Sequence, residues 1–447
     1  MQIDLTRGDI GAHIKTLAIP ASIGFFFHTM FNVTDTYFAG LISTQSLAAL
    51  SLSFPIFFII ISVAGGMSEA VTAVVGNALG KERNSEAQHI AQNALLMGVL
   101  LAVVLTLTGY MSAPYLMMAL GASGDYLAEA LGYINIIIFG TALFVFTFFI
   151  NAMLNALGDT VSFRNILIVS ALLNVVLDYW FVKGGFGLSP MGMEGIGLAT
   201  IFIEALSAIY LMYRLGRTPF FSDLCPFRYD KNILKELISQ GIPPSVNMAL
   251  MAVGIYIITY YAAPFGKEVV AAYGIGMRIE QIILMPVIGL NVAVLAIVAQ
   301  NNGGRYNERI VETVDKALSY GVLMALTGGL ILLGASETVM GFFSDNPDVI
   351  HEGVTYLRIE ALIIYPFAMI YIYLAMLQGI KRVAFIFYIS LARQIVAPLV
   401  VLSLLAWMEF GVVAIWLGIA AVVTVSALVT RWYARSALNE LKRRYVL

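Results

Sequence analysis

Long apolar runs separated by short charged loops dominate the chain, and each run is close to the ~20 residues that carry a helix across a bilayer. There are about twelve, with approximate limits 14–38, 48–76, 90–112, 127–152, 162–182, 192–213, 236–260, 270–299, 312–334, 350–377, 383–406 and 411–433. The alternating pattern of a membrane barrel is missing, so the runs are expected as helices. The second and eighth are long enough to tilt or to project from the bilayer. Only the connection from Arg214 to Lys235 is sizeable, and Phe220, Phe221 and Phe227 lie there among basic residues, as in an interfacial linker. The first apolar run continues for a full span and others follow, so it reads as a span rather than a cleavable leader.

The pattern repeats. Pro20 and Pro243 each open an apolar span, an offset of half the chain. The same offset carries Ala48-Ala49 to Ala271-Ala272, and Ala152-Met153-Leu154-Asn155 to Ala375-Met376-Leu377-Gln378. Gly80 falls opposite Gly304 after a one-residue slip. Two halves with an even number of spans share one orientation, so they are expected as parallel repeats about an axis along the membrane normal. The expected fold is all-α: twelve transmembrane helices in two six-helix bundles, with an N-terminal lobe 1–213, a cytoplasmic linker 214–235 and a C-terminal lobe 236–447. Such a pair of bundles is the architecture of an alternating-access carrier.

Composition narrows the function classes. With 60% of residues apolar and 12% charged, against the ~25% charged of soluble domains, the chain is a polytopic membrane protein. Mean hydropathy of +0.88 agrees. No basic block argues for nucleic acid. The single cysteine, Cys225, excludes an internal disulfide and a cysteine metal cluster, and the four histidines are scattered. No phosphate-binding GxxxxGK[ST] loop and no nucleophile with a base at readable spacing is present, so neither an enzyme nor a cofactor or metal site is expected. Energy must then come from an ion gradient or a partner.

Basic residues set the expected orientation. Arg7, Lys15, Lys81, Arg83, Arg164, the linker cluster from Arg214 to Lys235, Arg305, Arg309, Lys316, Lys381, Arg382 and the closing group from Arg431 to Arg444 share one side if twelve spans alternate. Lys183 and Lys267 are on the other. The positive-inside rule makes both termini cytoplasmic, in a multi-pass protein of the cell's inner (plasma) membrane.

Acids inside spans are functional candidates by default, because an unpaired buried charge is costly. Asp35 lies late in the first span and Asp178 about fifteen residues into the fifth. Asn174 precedes Asp178 by one helical turn and shares its face. Asn151, Tyr133, Tyr37 and Asn32 are further polar positions of this half. Proximity of the two aspartates would make them titrate as a coupled pair. Protonation would then alter hydrogen bonding to Asn174 and Asn151 and the shape of the first helix, where Pro20 removes one backbone bond and is the expected hinge. The blander alternative is that the amides are interhelical glue, and that His28 in the first span packs rather than relays protons.

The C-terminal half carries Arg278 and Glu280 in the eighth span, Arg358 and Glu360 in the tenth, and Arg393 in the eleventh. Neighbours two apart on a helix point different ways, so cross-helix pairs such as Glu280 with Arg393 or Arg358 are expected, an ion-pair network bracing the bundle. The N-terminal half, which also carries Glu204 near the middle of the sixth span and Glu69 towards the cytoplasmic end of the second, has mid-span acids without basic partners and so is ranked first as the proton site. Twenty methionines and phenylalanine runs such as Phe25-Phe26-Phe27 could line a compliant pocket for cationic amphiphiles, the alternative being plain packing and lipid contact.

The run FNVTDTYFAGL at Phe31 to Leu41, AVTAVVGNALG from Ala70 to Gly80, the NALGDT turn and NVVLDYWFV from Asn174 to Val182 together resemble the multidrug and toxic compound extrusion family over nearly all twelve spans. Within it, the N-terminal half resembles the proton-driven, DNA-damage-inducible-protein-F-like branch. That resemblance implies aspartates at Asp35 and Asp178, asparagines at Asn174 and Asn151 and a tyrosine at Tyr133 in ion coupling, with proton or sodium antiport of cationic, often aromatic drugs through a two-lobed fold. Sodium-linked members of another branch carry an acid on the seventh helix, which this chain lacks between Gly241 and Tyr261; this favours protons. Each chain holds both halves, so a monomer among membrane lipids suffices. The alternative is a flippase for a lipid-linked or anionic substrate, which Arg278, Arg358 and Arg393 would serve.

Overall fold

The computed structural model describes residues 3–185, 187–218 and 226–443. Phe220, Phe221, Cys225 and Arg444 lie outside them. Among the described residues the chain is helical almost throughout; its one β-bridge joins Gly185 to Leu188. Ten helices are long and apolar enough to cross a membrane. Two further spans are bent pairs, Gly124–Phe139 with Thr141–Ala156 at 43° and Pro347–Glu360 with Ile364–Gly379 at 52°, which brings the total to twelve.

The bends have local causes. Pro366 has no N–H to offer the carbonyl of Leu362, so the tenth span cannot run through as one helix. In the fourth span the break falls at Gly140, where a Cβ would sit 1.9 Å from Ile201 Cδ1 of the sixth span. By contrast, Pro20 is buried inside the unbroken first helix, Ile10–Ile42. Some helix starts carry side-chain caps at the N-cap residue: Ser43 Oγ accepts from Ser46 N at 2.9 Å, and Asn346 Oδ1 accepts from Asp348 N at 3.0 Å with Pro347 in the first turn.

The halves keep one register. The second helix, Thr44–Gly80, and the eighth, Lys267–Gly303, are both 37 residues long and start and end at the offset that separates Pro20 from Pro243. Gly80 therefore faces Gly303, and the one-residue slip to Gly304 is not needed. Glu82 and Arg305 follow at the same offset with φ of 59° and 63°, and Gly158 and Lys381 with 81° and 61°. Left-handed backbone is disfavoured for residues with a side chain, so its recurrence at matched turns marks a conserved turn geometry between the halves rather than chance.

Grouped by contact, the chain forms two compact units: Met1–Asp4 with Ile23–Ser245, and Leu5–Ser22 with Val246–Leu447. Besides the one between Asp4 and Leu5, the boundaries fall inside the first and seventh helices, two residues after Pro20 and two after Pro243. In the N-terminal unit, Gly66 of the second span meets Ser245 of the seventh so closely that a Cβ would lie 2.1 Å from the Ser245 backbone nitrogen. In the C-terminal unit, Gly289 of the eighth span meets Ser22 and Ala18 of the first, where a Cβ would lie 2.5 Å from the Ala18 carbonyl oxygen. Gly66 and Gly289, and likewise Ser22 and Ser245, are again one repeat offset apart.

The core of the N-terminal unit is built on small residues of the second span, from Ala64 to Ala78, against Phe149, Met153 and Leu154 of the fourth. The core of the C-terminal unit collects Tyr273, Leu284, Tyr356, Leu357 and Trp416. Burying side chains of this size contributes roughly 1.5–3 kcal/mol each relative to water, although a lipid surround supplies part of that without folding.

Candidate functional site

The N-terminal unit brings the first, fifth and sixth spans together around Asp35. Its side chain is 6% exposed. Asn174 Nδ2 donates to Asp35 Oδ1 at 2.9 Å, and Thr200 Oγ1 of the sixth span lies 3.4 Å from Oδ2. Asp178, one turn beyond Asn174, is fully buried, and its carboxyl lies beside that of Asp35. Neither Asp178 oxygen has a protein donor, and Asn174 Oδ1 is also buried without a partner. A carboxylate with no donor at zero exposure is costly. One proton on the pair removes a charge and provides the missing donor. The arrangement can therefore hold and release a proton.

Tyr133 is buried in the same unit, its charge environment set by Asp35 and Asp178, and its ring lies 3.4 Å from the Cβ position of Gly197 on the sixth span. Asn151 is buried with Oδ1 unpartnered, and no hydrogen bond joins it to either aspartate. Tyr37 is 62% exposed and packs edge-on against Phe38, away from the acid pair. Asn32 is exposed and bonds the His28 carbonyl at 2.9 Å. The structure thus assembles Asp35, Asp178, Asn174 and Tyr133, and leaves Tyr37 and Asn151 outside the hydrogen-bonded cluster.

Thr200 was not singled out from sequence. A threonine in a span ordinarily returns its hydroxyl to the carbonyl four residues back, as Thr200 does to Ile196 at 3.0 Å, so its type carries no signal. One turn further on, Glu204 Oε2 accepts from Thr147 Oγ1 of the fourth span at 2.9 Å. Ser170 and Ser207 face each other at 3.3 Å where the fifth and sixth spans run side by side.

The expected C-terminal ion-pair network is not formed. Arg278 and Arg358 lie on exposed helix faces and make no salt bridge among the described residues. Their neighbours Glu280 and Glu360, two residues on, point elsewhere, as helical spacing requires. Glu280 accepts instead from Tyr356 Oη at 3.1 Å. No group of three or more metal-ligating side chains occurs among the described residues.

Comparison with known proteins adds a family. The MatE family model matches residues 20–180 and 243–405, two segments that begin at Pro20 and Pro243 and together cover more than half of the chain. The chain is 26% identical over 348 residues to a probable multidrug resistance protein NorM of Thermotoga maritima, spanning 76% of this chain and 74% of that one. It is 25% identical over 419 residues to an FAD transporter of Shewanella oneidensis, spanning 91% and 90%. The fold matches that of a MOP superfamily transporter from Pyrococcus furiosus with a TM-score of 0.91, 23% identity and 98% of each chain covered.

Proposed function

The chain belongs to the MatE family, and from that premise we propose that this membrane transporter exports cationic or amphipathic drugs in exchange for protons, as a member of the DNA-damage-inducible-protein-F-like branch. The observation that carries the reading is the Asp35–Asp178 pair, in which Asp35 receives the Asn174 amide and Asp178 has no donor. With one proton aboard, the pair is a single buried charge answered by Asn174. Losing that proton leaves two carboxylates together, which a cationic substrate or a rearranged first helix would relieve. The multidrug name of the Thermotoga relative supports the substrate class.

Alternating access would use Pro20. Its missing N–H weakens the first helix two residues before that helix passes from one compact unit into the other, and Pro243 stands in the same relation on the seventh. Both termini would be cytoplasmic in the inner membrane, with 1–213 and 236–447 as functional halves of a monomer. Sodium remains a candidate second ion, since carboxylate and amide oxygens suit a hard cation.

Drug efflux from proteoliposomes under an imposed proton gradient tests the reading, with Asp35→Asn and Asp178→Asn beside the unmodified protein. Uphill flux that is lost in both variants while drug binding persists supports it. Flux that requires sodium replaces the proton. A second reading, an anionic substrate, is favoured by two exposed arginines, Arg278 and Arg358, that make no salt bridge among the described residues, and by the FAD transporter among the relatives. Flux of a dinucleotide that is abolished by Arg278→Gln, with no drug flux, would establish it instead.

A further inference from the structure

Beyond the acid pair, the N-terminal unit carries a polar stripe that packing alone does not call for. Thr147, Asn151 and Asn155 follow one another at four-residue spacing on the second half of the fourth span, Thr141–Ala156, so each stands one helical turn from the next. All three are buried. One more step of four reaches Asp159, just past the end of that helix. Asp159 accepts from Ser162 N at 2.9 Å and pairs with Arg214 of the sixth span at 3.2 Å. The stripe thus leads from mid-span to the end of the unit where Arg164 and Arg214 lie, which the positive-inside rule makes the cytoplasmic end.

Glu204 joins this stripe to the acid pair. It sits on the sixth span, Gly192–Gly216, one turn and about 6 Å of helix axis beyond Thr200. The Thr200 hydroxyl itself lies 3.4 Å from Asp35 Oδ2. On its other side Glu204 meets the first member of the stripe, since its Oε2 accepts from Thr147 Oγ1 at 2.9 Å. No salt bridge answers Glu204 among the described residues. One turn further along the sixth span, Ser207 faces Ser170 of the fifth at 3.3 Å, so polar groups continue past Glu204 in the same direction.

Interhelical glue would explain polar residues that bond one another across spans. Asn151 does not fit that account, because its Oδ1 is buried with no partner at all, which is a cost to stability. What a run of hydroxyls and amides at successive turns does supply is the two or more polar partners that a water needs inside a protein. Resting on the proton-exchange reading above, we propose that Glu204 relays protons between the Asp35–Asp178 pair and the cytoplasmic end of the unit, along the lane of Thr147, Asn151 and Asn155. The pair gives its carboxylic proton through water to the Glu204 carboxylate, which becomes the neutral acid. Glu204 then returns that proton to water in the lane and is a carboxylate again. Thr200 is not the carrier, because its own proton goes to the Ile196 carbonyl at 3.0 Å. Glu204 suits the task by position: it is half-buried, whereas Asp178 is fully closed off.

Ethidium flux in proteoliposomes tests the relay in two modes. One is uphill flux driven by an imposed proton gradient; the other is ethidium exchange at equal pH, which moves no net protons. Glu204→Gln should lower gradient-driven flux about tenfold or more while exchange persists. Glu204→Asp, which keeps the carboxyl, should recover a large part of it. Asn155→Leu interrupts the lane away from Glu204 and should slow gradient-driven flux in the same selective way; it reads the lane if Glu204→Gln does not fold. Loss of both modes together in Glu204→Gln would make Glu204 a packing or drug-contacting residue and overturn the relay. Undiminished gradient-driven flux in Glu204→Gln, beside an unmodified protein that is proton-driven, overturns the relay alone. An unmodified protein without proton-driven flux takes down the proton-exchange reading and the relay with it.

Discussion

Asn174 Nδ2 donates to Asp35 Oδ1 across 2.9 Å, so one hydrogen bond ties the fifth span to the first inside the N-terminal unit. It is a bond to a charge-bearing group in a site closed to water, the setting in which losing a donor costs most. Asn174→Ala should destabilise the protein by about 1–3 kcal/mol, because the Asp35 oxygen is left without its donor. Thermal unfolding in detergent measures this, and gradient-driven flux should fall with it. An unchanged melting temperature together with unchanged flux would reduce Asn174 to packing.

Thr200 should matter less. Its hydroxyl has one proton and two acceptors, the Ile196 carbonyl at 3.0 Å and Asp35 Oδ2 at 3.4 Å. The longer contact lies beyond the usual ~2.5–3.0 Å of O–H···O bonds, so the proton goes mainly to the helix's own carbonyl. Thr200→Val, which keeps the shape, should therefore leave most of the flux and cost under about 1 kcal/mol. Flux from Thr200→Val as low as from Asn174→Ala would mean that Thr200 turns toward Asp35 during the cycle.

The spans were legible because each is a long apolar run between charged loops, and the repeat because Pro20 and Pro243 open matching spans. Asp35, Asp178 and Asn174 stood out as polar residues that a bilayer makes costly. What sequence could not convey was direction. Tyr37 sits two residues from Asp35, and its ring faces outward. Asn151 was grouped with the aspartates by depth, while depth leaves rotation about the helix axis open. Arg358 and Arg393 looked like cross-helix partners for Glu280 on charge alone, but the donor Glu280 receives is the Tyr356 hydroxyl. Thr200 carried no mark at all, and the bends at Gly140 and Leu362 fall within runs whose apolar pattern continues unbroken.

The paired glycines give a prediction about packing. Gly66 and Gly289 stand at equivalent places in the repeat, and a Cβ on either would lie 2.1–2.5 Å from atoms of the facing helix that include backbone. Backbone cannot rotate aside, so the helices must separate. Gly66→Ala and Gly289→Ala should each cost about 1–3 kcal/mol or more by overpacking. Gly40, with nothing within 4 Å of its Cβ position, is the control, and Gly40→Ala should be neutral or slightly stabilising. Equal melting temperatures for all three variants would show that the close approach is not obligatory.

A last prediction concerns pH at the start of the first helix. Asp9 precedes Ile10, and its Oδ2 accepts from Ala12 N at 2.6 Å while Lys316 Nζ lies 3.0 Å from Oδ1. The Ala12 N–H first and the Lys316 ammonium second hold the Asp9 carboxyl below its ordinary value of 3.8. A carboxyl whose folded value is lowered contributes stability above its unfolded value and loses it as pH falls through the folded one. The stability deficit of Asp9→Ala should thus be constant from neutral pH down to about pH 4 and shrink below that. Asp9→Asn keeps the cap acceptor and loses the charge, so its smaller deficit should report the ion pair alone and fade at high salt. Thermal unfolding of the three proteins across pH and salt decides it. A deficit for Asp9→Ala that persists undiminished at the lowest pH would assign the effect to the neutral cap and leave the Lys316 contact without weight.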